Sequence, residues 1–374
     1  MRKPLLSVTL VSALVLPVIA GSACSTAAVP LAPEDAAPDA LIEAGPIVGA
    51  KTTETPMFRA LIGSDASKPT FQKARSSVDL TGTFQRVMLI VDLESPCFPF
   101  EKWKDDPPPK GHNWPASCDA FDRNFETSLV DPVNPSAPGL ELVRAITPFG
   151  GPLHIEEDVT DVWNGIEGPR DLSIHITTYS DGAGKVSGSN GSWFVSAKVE
   201  KTGGPPPREV LAVTPLFYGS VKSDASTCAL PFDIPQGATK TQVFYRATGH
   251  GGQIEEGAEC RQPADEFCQR EQEIGFDAET KQKVTFWRKD CKSLCTVKHY
   301  IGNGLDLDYC EENPCGAQAS VRASRANWCP GSITPPAEYA PTSGAPGPHT
   351  FHFGIAKIAK EGSWTVSATA ISTR

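Results

Sequence analysis

The chain has 374 residues, enough for two domains at about 150 residues each, and its 40% hydrophobic content supports real cores. With 34 basic and 44 acidic residues the formal charge is −10, which excludes a general nucleic-acid binder, because that class needs a basic surface. The 32 glycines and 34 prolines signal many turns, and the 3 methionines and lack of any long Ala/Leu/Glu/Lys block exclude a helical bundle.

Residues 1–23 read as a secretory signal. Met1-Arg2-Lys3 is basic, 5–20 is almost wholly apolar, and Gly21-Ser22-Ala23 supplies the small residues of a cleavage site. The apolar run ends too soon for a stable membrane span. Cys24 follows at once, and Gly21-Ser22-Ala23-Cys24 resembles the lipobox of bacterial lipoproteins, with Gly21 where leucine is usual. Residues 24–50 are rich in Ala, Pro, Asp and Glu and lack aromatics, as a flexible tether does. The expectation is an exported chain, an outer-membrane or cell-surface lipoprotein anchored through Cys24, or otherwise a periplasmic or secreted one. Its contact with a membrane is then through the lipid anchor alone. Setting Cys24 aside leaves ten of the 11 cysteines, an even number suited to disulfides in an oxidising compartment.

Beyond the tether come short apolar runs of strand length, such as Val87-Met88-Leu89-Ile90-Val91, 172–179, 193–199, 242–246, 350–354 and 364–369. Several alternate polar with apolar residues and are rich in β-branched and aromatic side chains, which is the strand signal. No 3.6-residue period lasts three turns. The spacing predicts an all-β fold of sandwiches or jelly rolls. Gly203-Gly204-Pro205-Pro206-Pro207 is the clearest break and divides the chain into domains 51–205 and 206–374. A second proline-rich loop, Asp105-Asp106-Pro107-Pro108-Pro109, lies between Cys97 and Cys118. Cysteines crowd the second domain, so 260–329 reads as a disulfide-stapled, loop-rich insertion. Cys291-x3-Cys295 and Cys310-x4-Cys315 lack tight zinc-ligand spacing, and no metal is expected.

Two carboxylates stand out by setting. Asp122 lies in Cys118-Asp119-Ala120-Phe121-Asp122-Arg123, and Glu266 in Asp265-Glu266-Phe267-Cys268. An acid fixed by a nearby disulfide and flanked by an aromatic ring acquires a defined pKa, as acid–base work on a neutral substrate requires. His-Glu-x-x-His and Gly-x-Ser-x-Gly are missing, so zinc proteases and serine hydrolases have no support. His349 and His352, three apart on a strand, point to opposite faces. A copper monooxygenase is excluded too, since Met57 and Met88, the methionines beyond the signal, are not near a histidine pair.

Thr248-Gly249-His250-Gly251, Glu266-Phe267-Cys268 and Arg325-Ala326-Asn327-Trp328-Cys329-Pro330-Gly331 occur in that order. Together they closely resemble the C-terminal domain of the peptide-N-glycosidase F family. Cys118 to Arg123, Ile146-Thr147-Pro148-Phe149 and Asp158-Val159-Thr160-Asp161 extend the resemblance to about residues 80–370. It implies two tandem eight-stranded antiparallel jelly rolls packed side by side, with an active site in the groove between them. The implied activity is hydrolysis of the amide bond between asparagine and N-acetylglucosamine in N-glycoproteins or glycopeptides. Aspartate and a glycosylamine result, and no metal or cofactor is needed. Asp122 and Glu266 match the catalytic acids, and Arg325 and Arg123 the arginines that position substrate. Tyr179, Phe267 and Trp328 offer faces to sugar rings, and His250 lines the site. The implied partner is an N-glycosylated protein or peptide, met by a monomer.

The resemblance has gaps. A third family carboxylate falls on Thr177, which carries no charge. Asp181, an even number of residues further, points the same way if the strand reaches it. The cysteine expected two residues before Glu266 is Ala264, and Cys260 closes a longer loop with Cys268 instead. These departures keep open an alternative, a non-catalytic glycan-binding or surface adhesion lipoprotein on the same fold.

Overall fold

The computed structural model describes residues 52–374 apart from 64, 66, 182, 224–225 and 255–259. The expected signal segment, the tether and the lipid-bearing Cys24 lie outside the described residues.

The first half holds β1 (Thr52–Gly63), β2 (Lys73–Val78), β3 (Arg86–Glu94), β4 (Asn124–Val130), β5 (Leu140–Ile146), β6 (Leu153–Asp158), a short helix α1 (Thr160–Gly165), β7 (Arg170–Ile176) and β8 (Ser192–Thr202). One sheet runs β1-β8-β3-β6. The facing sheet contains β5-β4-β7-β2, and all pairings are antiparallel. Along β8, Trp193, Val195, Ala197 and Val199 alternate inward, as a strand with one covered face requires. They meet Leu89, Val91, Phe125 and Ile174 in one core.

The second half repeats the plan. Its strands are β9 (Val210–Val221), β10 (Thr227–Ile234), β11 (Lys240–Gly251), β12 (Glu271–Phe276) and β13 (Gln282–Thr285), with a one-turn helix α2 (Ala264–Phe267) between β11 and β12. Then follow β14 (Val297–Gly302), β15 (Leu305–Cys310), α3 (Gln318–Val321), β16 (Ser332–Ile333), β17 (Ala337–Tyr339), β18 (Gly347–Ile355) and β19 (Gly362–Thr373). Sheets β17-β11-β19-β9 and β10-β18-β12-β13 enclose a separate core around Tyr245, Phe351, Phe353, Trp364 and Val366. The Tyr245 hydroxyl donates to Gln272 Oε1 at 2.8 Å, so the buried phenol is satisfied. The all-β, antiparallel reading holds.

Polar groups, not only apolar ones, join the halves. Strand β16 leaves the second half to pair with β5 and extends the first half's sheet. Glu141 and Arg144 form a fully buried ion pair at 2.6 Å, and Arg144 also donates to the Thr365 carbonyl at 3.2 Å. Arg246 reaches across to the Leu142 carbonyl at 3.1 Å and lies 3.7 Å from Glu141 Oε2, while its Nε donates to the Thr334 carbonyl of its own half at 3.0 Å. Tyr218 donates to Glu126, and Ser367 to Glu141. Buried charges are tolerated only when paired and hydrogen-bonded, so this network fixes one relative placement of the two sandwiches.

A second clamp comes from the β14–β15 hairpin. Its Tyr300 and Tyr309 pack on Phe100 at 5.1 Å, and Asn303 donates to the Phe100 carbonyl at 2.8 Å. Disulfides join Cys97–Cys118, Cys260–Cys268, Cys291–Cys329 and Cys295–Cys310, and Cys228 is disulfide-bonded as well. Cys315 departs from full pairing and carries a free thiol. Its sulfur lies within 4.8 Å of those of Cys97 and Cys118, which are already joined to each other.

Candidate active site

Asp122 precedes β4 in a segment held by Thr147. The Arg123 N–H donates to Thr147 Oγ1 at 2.8 Å, and the Thr147 N–H returns to the Arg123 carbonyl at 2.7 Å. Asp119, wholly buried, takes Arg123 Nε on both oxygens at 2.9 and 3.0 Å. The Cys97–Cys118 disulfide ties the start of this segment.

Glu266 sits on α2, where a neighbouring acid fixes the backbone. Asp265 is fully buried and accepts from Arg270 Nε at 2.9 Å, Trp364 Nε1 at 3.1 Å and the Ala359 N–H at 2.7 Å. At Gly249 a Cβ would stand 2.0 Å from the Asp265 carbonyl oxygen, so only glycine lets β11 approach α2. Two residues on, Gly251 adopts φ +64 and turns its N–H to Glu266 Oε1 at 3.2 Å.

Arg325 lies between the acids. Its Nη1 is 3.7 Å from Asp122 Oδ2 and 3.5 Å from Glu266 Oε2. One nitrogen serving both acids confines them to the same few ångströms, although 144 positions separate them in sequence. Nη2 donates to the Ser320 carbonyl and hydroxyl at 2.9 and 3.0 Å. The guanidinium carbon stands 4.2 Å over the Trp328 ring and 4.9 Å over that of Phe267. His250 stacks on Trp328 at 5.4 Å, and Trp328 Nε1 donates to the Gly249 carbonyl at 3.1 Å. The loop carrying Arg325 is pinned by backbone pairing with Arg288, by the Ala326 N–H on the Glu266 carbonyl at 2.8 Å, and by Cys291–Cys329.

The electrostatics separate the acids from ordinary carboxylates. Burial raises Asp122 to about 6, against the lowering effects of Arg325 and Arg123. Burial, then the charge of Asp122, raises Glu266 to about 7, while Arg325 lowers it. The side chains keep 20% and 19% of their surface, so both remain reachable from solvent, whereas that of Arg325 keeps 2%. Burial holds the His250 pKa down to about 3, so its imidazole is neutral.

The structure thus brings together Asp122, Glu266, Arg325, Phe267 and His250 of the residues expected from sequence. Arg123 is committed to Asp119 through Nε, while its buried Nη2 has no hydrogen-bond partner among the described residues. Tyr179 follows β7 and is 55% exposed. The Thr177 hydroxyl accepts from the Asn124 N–H at 3.1 Å, which places it at the root of the Asp122 segment. Asp181 does not replace the missing carboxylate. It closes its own exposed loop by accepting from Val186 N–H at 2.5 Å and Asn190 Nδ2 at 3.2 Å. The sequence reading missed Asp119, Asp265 and Ser320; only the adjacent acid pair Asp265-Glu266 hinted that one of two carboxylates is structural.

Fold and site together define an all-β, jelly-roll protein whose paired sandwiches bring two acids and an arginine to one place. Residues 218–371 match the family model of peptide-N-glycosidase F, C terminal. Among solved structures, a peptide-N(4)-(N-acetyl-beta-D-glucosaminyl) asparagine amidase aligns at TM-score 0.62 and 16% identity, over 86% of this chain and 96% of that one. PNGase F, a glycosylasparaginase from Flavobacterium meningosepticum, aligns at TM-score 0.59 and 16% identity over 86% and 96%. PNGF-II aligns at TM-score 0.61 and 17% identity over 86% of this chain, which spans 65% of the PNGF-II chain. At these identities the likeness carries the fold alone. No curated protein matches this sequence. No helix among the described residues is long and apolar enough to cross a membrane.

Proposed function

We propose that the chain is an exported amidase that hydrolyses the bond between an asparagine side chain and the innermost N-acetylglucosamine of an N-glycan. The supporting observation is the shared contact of Asp122 and Glu266 with Arg325, with the two acids raised to about 6 and about 7. Near neutral pH Asp122 is then mostly ionised while about half of Glu266 keeps its proton. Environments that push two carboxylates apart divide base from acid.

In this reading water attacks the amide carbonyl carbon, and Asp122 takes its proton. Negative charge builds on the carbonyl oxygen, where the Arg325 guanidinium stabilises it from a largely desolvated setting. The C–N bond then breaks as Glu266 protonates the leaving nitrogen. Aspartate stays in the peptide, and the released glycosylamine loses ammonia in water. The Phe267 ring presents a face to sugar, and the buried Nη2 of Arg123 offers a donor.

The test incubates the protein with an N-glycopeptide and follows Asn-to-Asp conversion by mass. Turnover that Asp122→Asn abolishes supports the reading; no turnover by the natural chain, or full turnover by Asp122→Asn, defeats it. A second reading, glycan binding without cleavage, draws on Thr177, whose hydroxyl is taken by the Asn124 N–H and carries no charge. Glycan affinity without any conversion would favour it.

A further inference from the structure

A cleft of ≈ 870 Å³ opens on the second half. Two of its lining residues adjoin the candidate centre: Phe267 follows Glu266, and Ser324 precedes Arg325. The volume falls within the roughly 300–1,000 Å³ of pockets that hold small ligands. Its walls include Trp287 and four cations, Arg261, Arg270, Arg322 and Lys357. Arg270 is neutralised by buried Asp265 at 2.9 Å. Arg261, Arg322 and Lys357 are exposed and make no ion pair among the described residues. No carboxylate stands among the described lining residues.

In a chain of net charge −10, cations without an ion pair among the described residues, set around a concave wall, focus a field that draws anions. Trp287 packs against the second core, so its ring is a fixed platform. Lys357 sits at φ 58, a left-handed position uncommon for a residue with a Cβ. A ring face beside guanidinium forks suits a sugar bearing an acid group.

We propose that this cleft is a subsite for an acidic oligosaccharide, holding a sialic-acid carboxylate or a sulfate ester on a glycan branch. The placement of the glycan rests on the amidase reading, and Phe267 with Trp287 favours a sugar over an acidic peptide. The test is calorimetric titration of the whole protein with free oligosaccharides of one core, in neutral, sialylated and sulfated forms, and with an Asp/Glu-rich peptide. Acidic forms are expected to bind about tenfold more tightly than the neutral core, less so in high salt. Arg322→Ala combined with Lys357→Ala is expected to remove about three- to tenfold of that preference. Tighter binding of either the sialylated or the sulfated form supports the subsite and identifies the acid it takes. Equal binding of neutral and acidic forms, or a preference that survives the double substitution, overturns it. Displacement of acidic sugar by the peptide at equal affinity also overturns it. Because free sugars contain no scissile amide, failure of glycopeptide cleavage would count against the amidase reading alone.

Discussion

Trp328 holds Arg325 in place by its face, with 4.2 Å between the indole ring centre and the guanidinium carbon. Stacking orients the cation while leaving Nη1 directed at Asp122 and Glu266. A lysine at 325 keeps the charge but loses the planar fork and the stack.

Arg325→Lys is therefore expected to cut kcat by about 10²–10³-fold, the usual cost of losing one donor to a developing oxyanion, and to lower Tm, because the bonds to Ser320 and the stack on Trp328 are weakened. Because Arg325 lowers both acids through its charge, which lysine keeps, the limbs of the pH profile should move little. Steady-state deglycosylation across pH checks both outcomes.

The pH dependence of kcat/KM is expected to be a narrow bell. Activity falls below about 6 as Asp122 gains a proton, and above about 7 as Glu266 loses one. The two limbs belong to a coupled pair. Glu266→Gln should erase the alkaline limb, and a profile that keeps it would refute the division of roles.

Stability should run against activity. Both acids have folded-state pKa values raised above their unfolded ones, so the folded chain binds more protons between about 4 and about 7. Their contribution is complete below the unfolded values and is lost as pH rises through the folded values. Asp122→Asn or Glu266→Gln should accordingly raise Tm by a few degrees at pH about 8 and change little at pH about 4. Thermal melts at the two pH values test the sign.

Asp265→Ala leaves Arg270 and the Trp364 indole without their buried partner. Breaking a buried pair on one side costs about 3–5 kcal/mol. Denaturant unfolding should show that loss. In the fraction that folds, turnover should fall as well, because Asp265 anchors the helix that carries Glu266.

Much of this was legible in the residues. Alternation along 193–199 gives a strand by period alone, since one face is covered. Asp122, Glu266 and Arg325 were found through the motifs that carry them. What one dimension hides is which of two neighbouring acids turns inward: Asp119 and Asp265 are buried props, while Asp122 and Glu266 face the site. Burial depends on partners far along the chain, such as Trp364 for Asp265. Asp181 failed to go where expected for the same reason, being taken by a local partner. The cross-half network of Glu141, Arg144 and Arg246 had no local signature at all.

The two-residue strand β16 is encoded in the second half yet completes a sheet of the first. Neither portion is therefore a self-sufficient module: severed at the proline hinge, the leading piece would present the naked rim of β5, and the trailing piece a dangling ribbon. Melting is expected to be a single event for the whole molecule, and any natural shuffling of this gene must carry both pieces together.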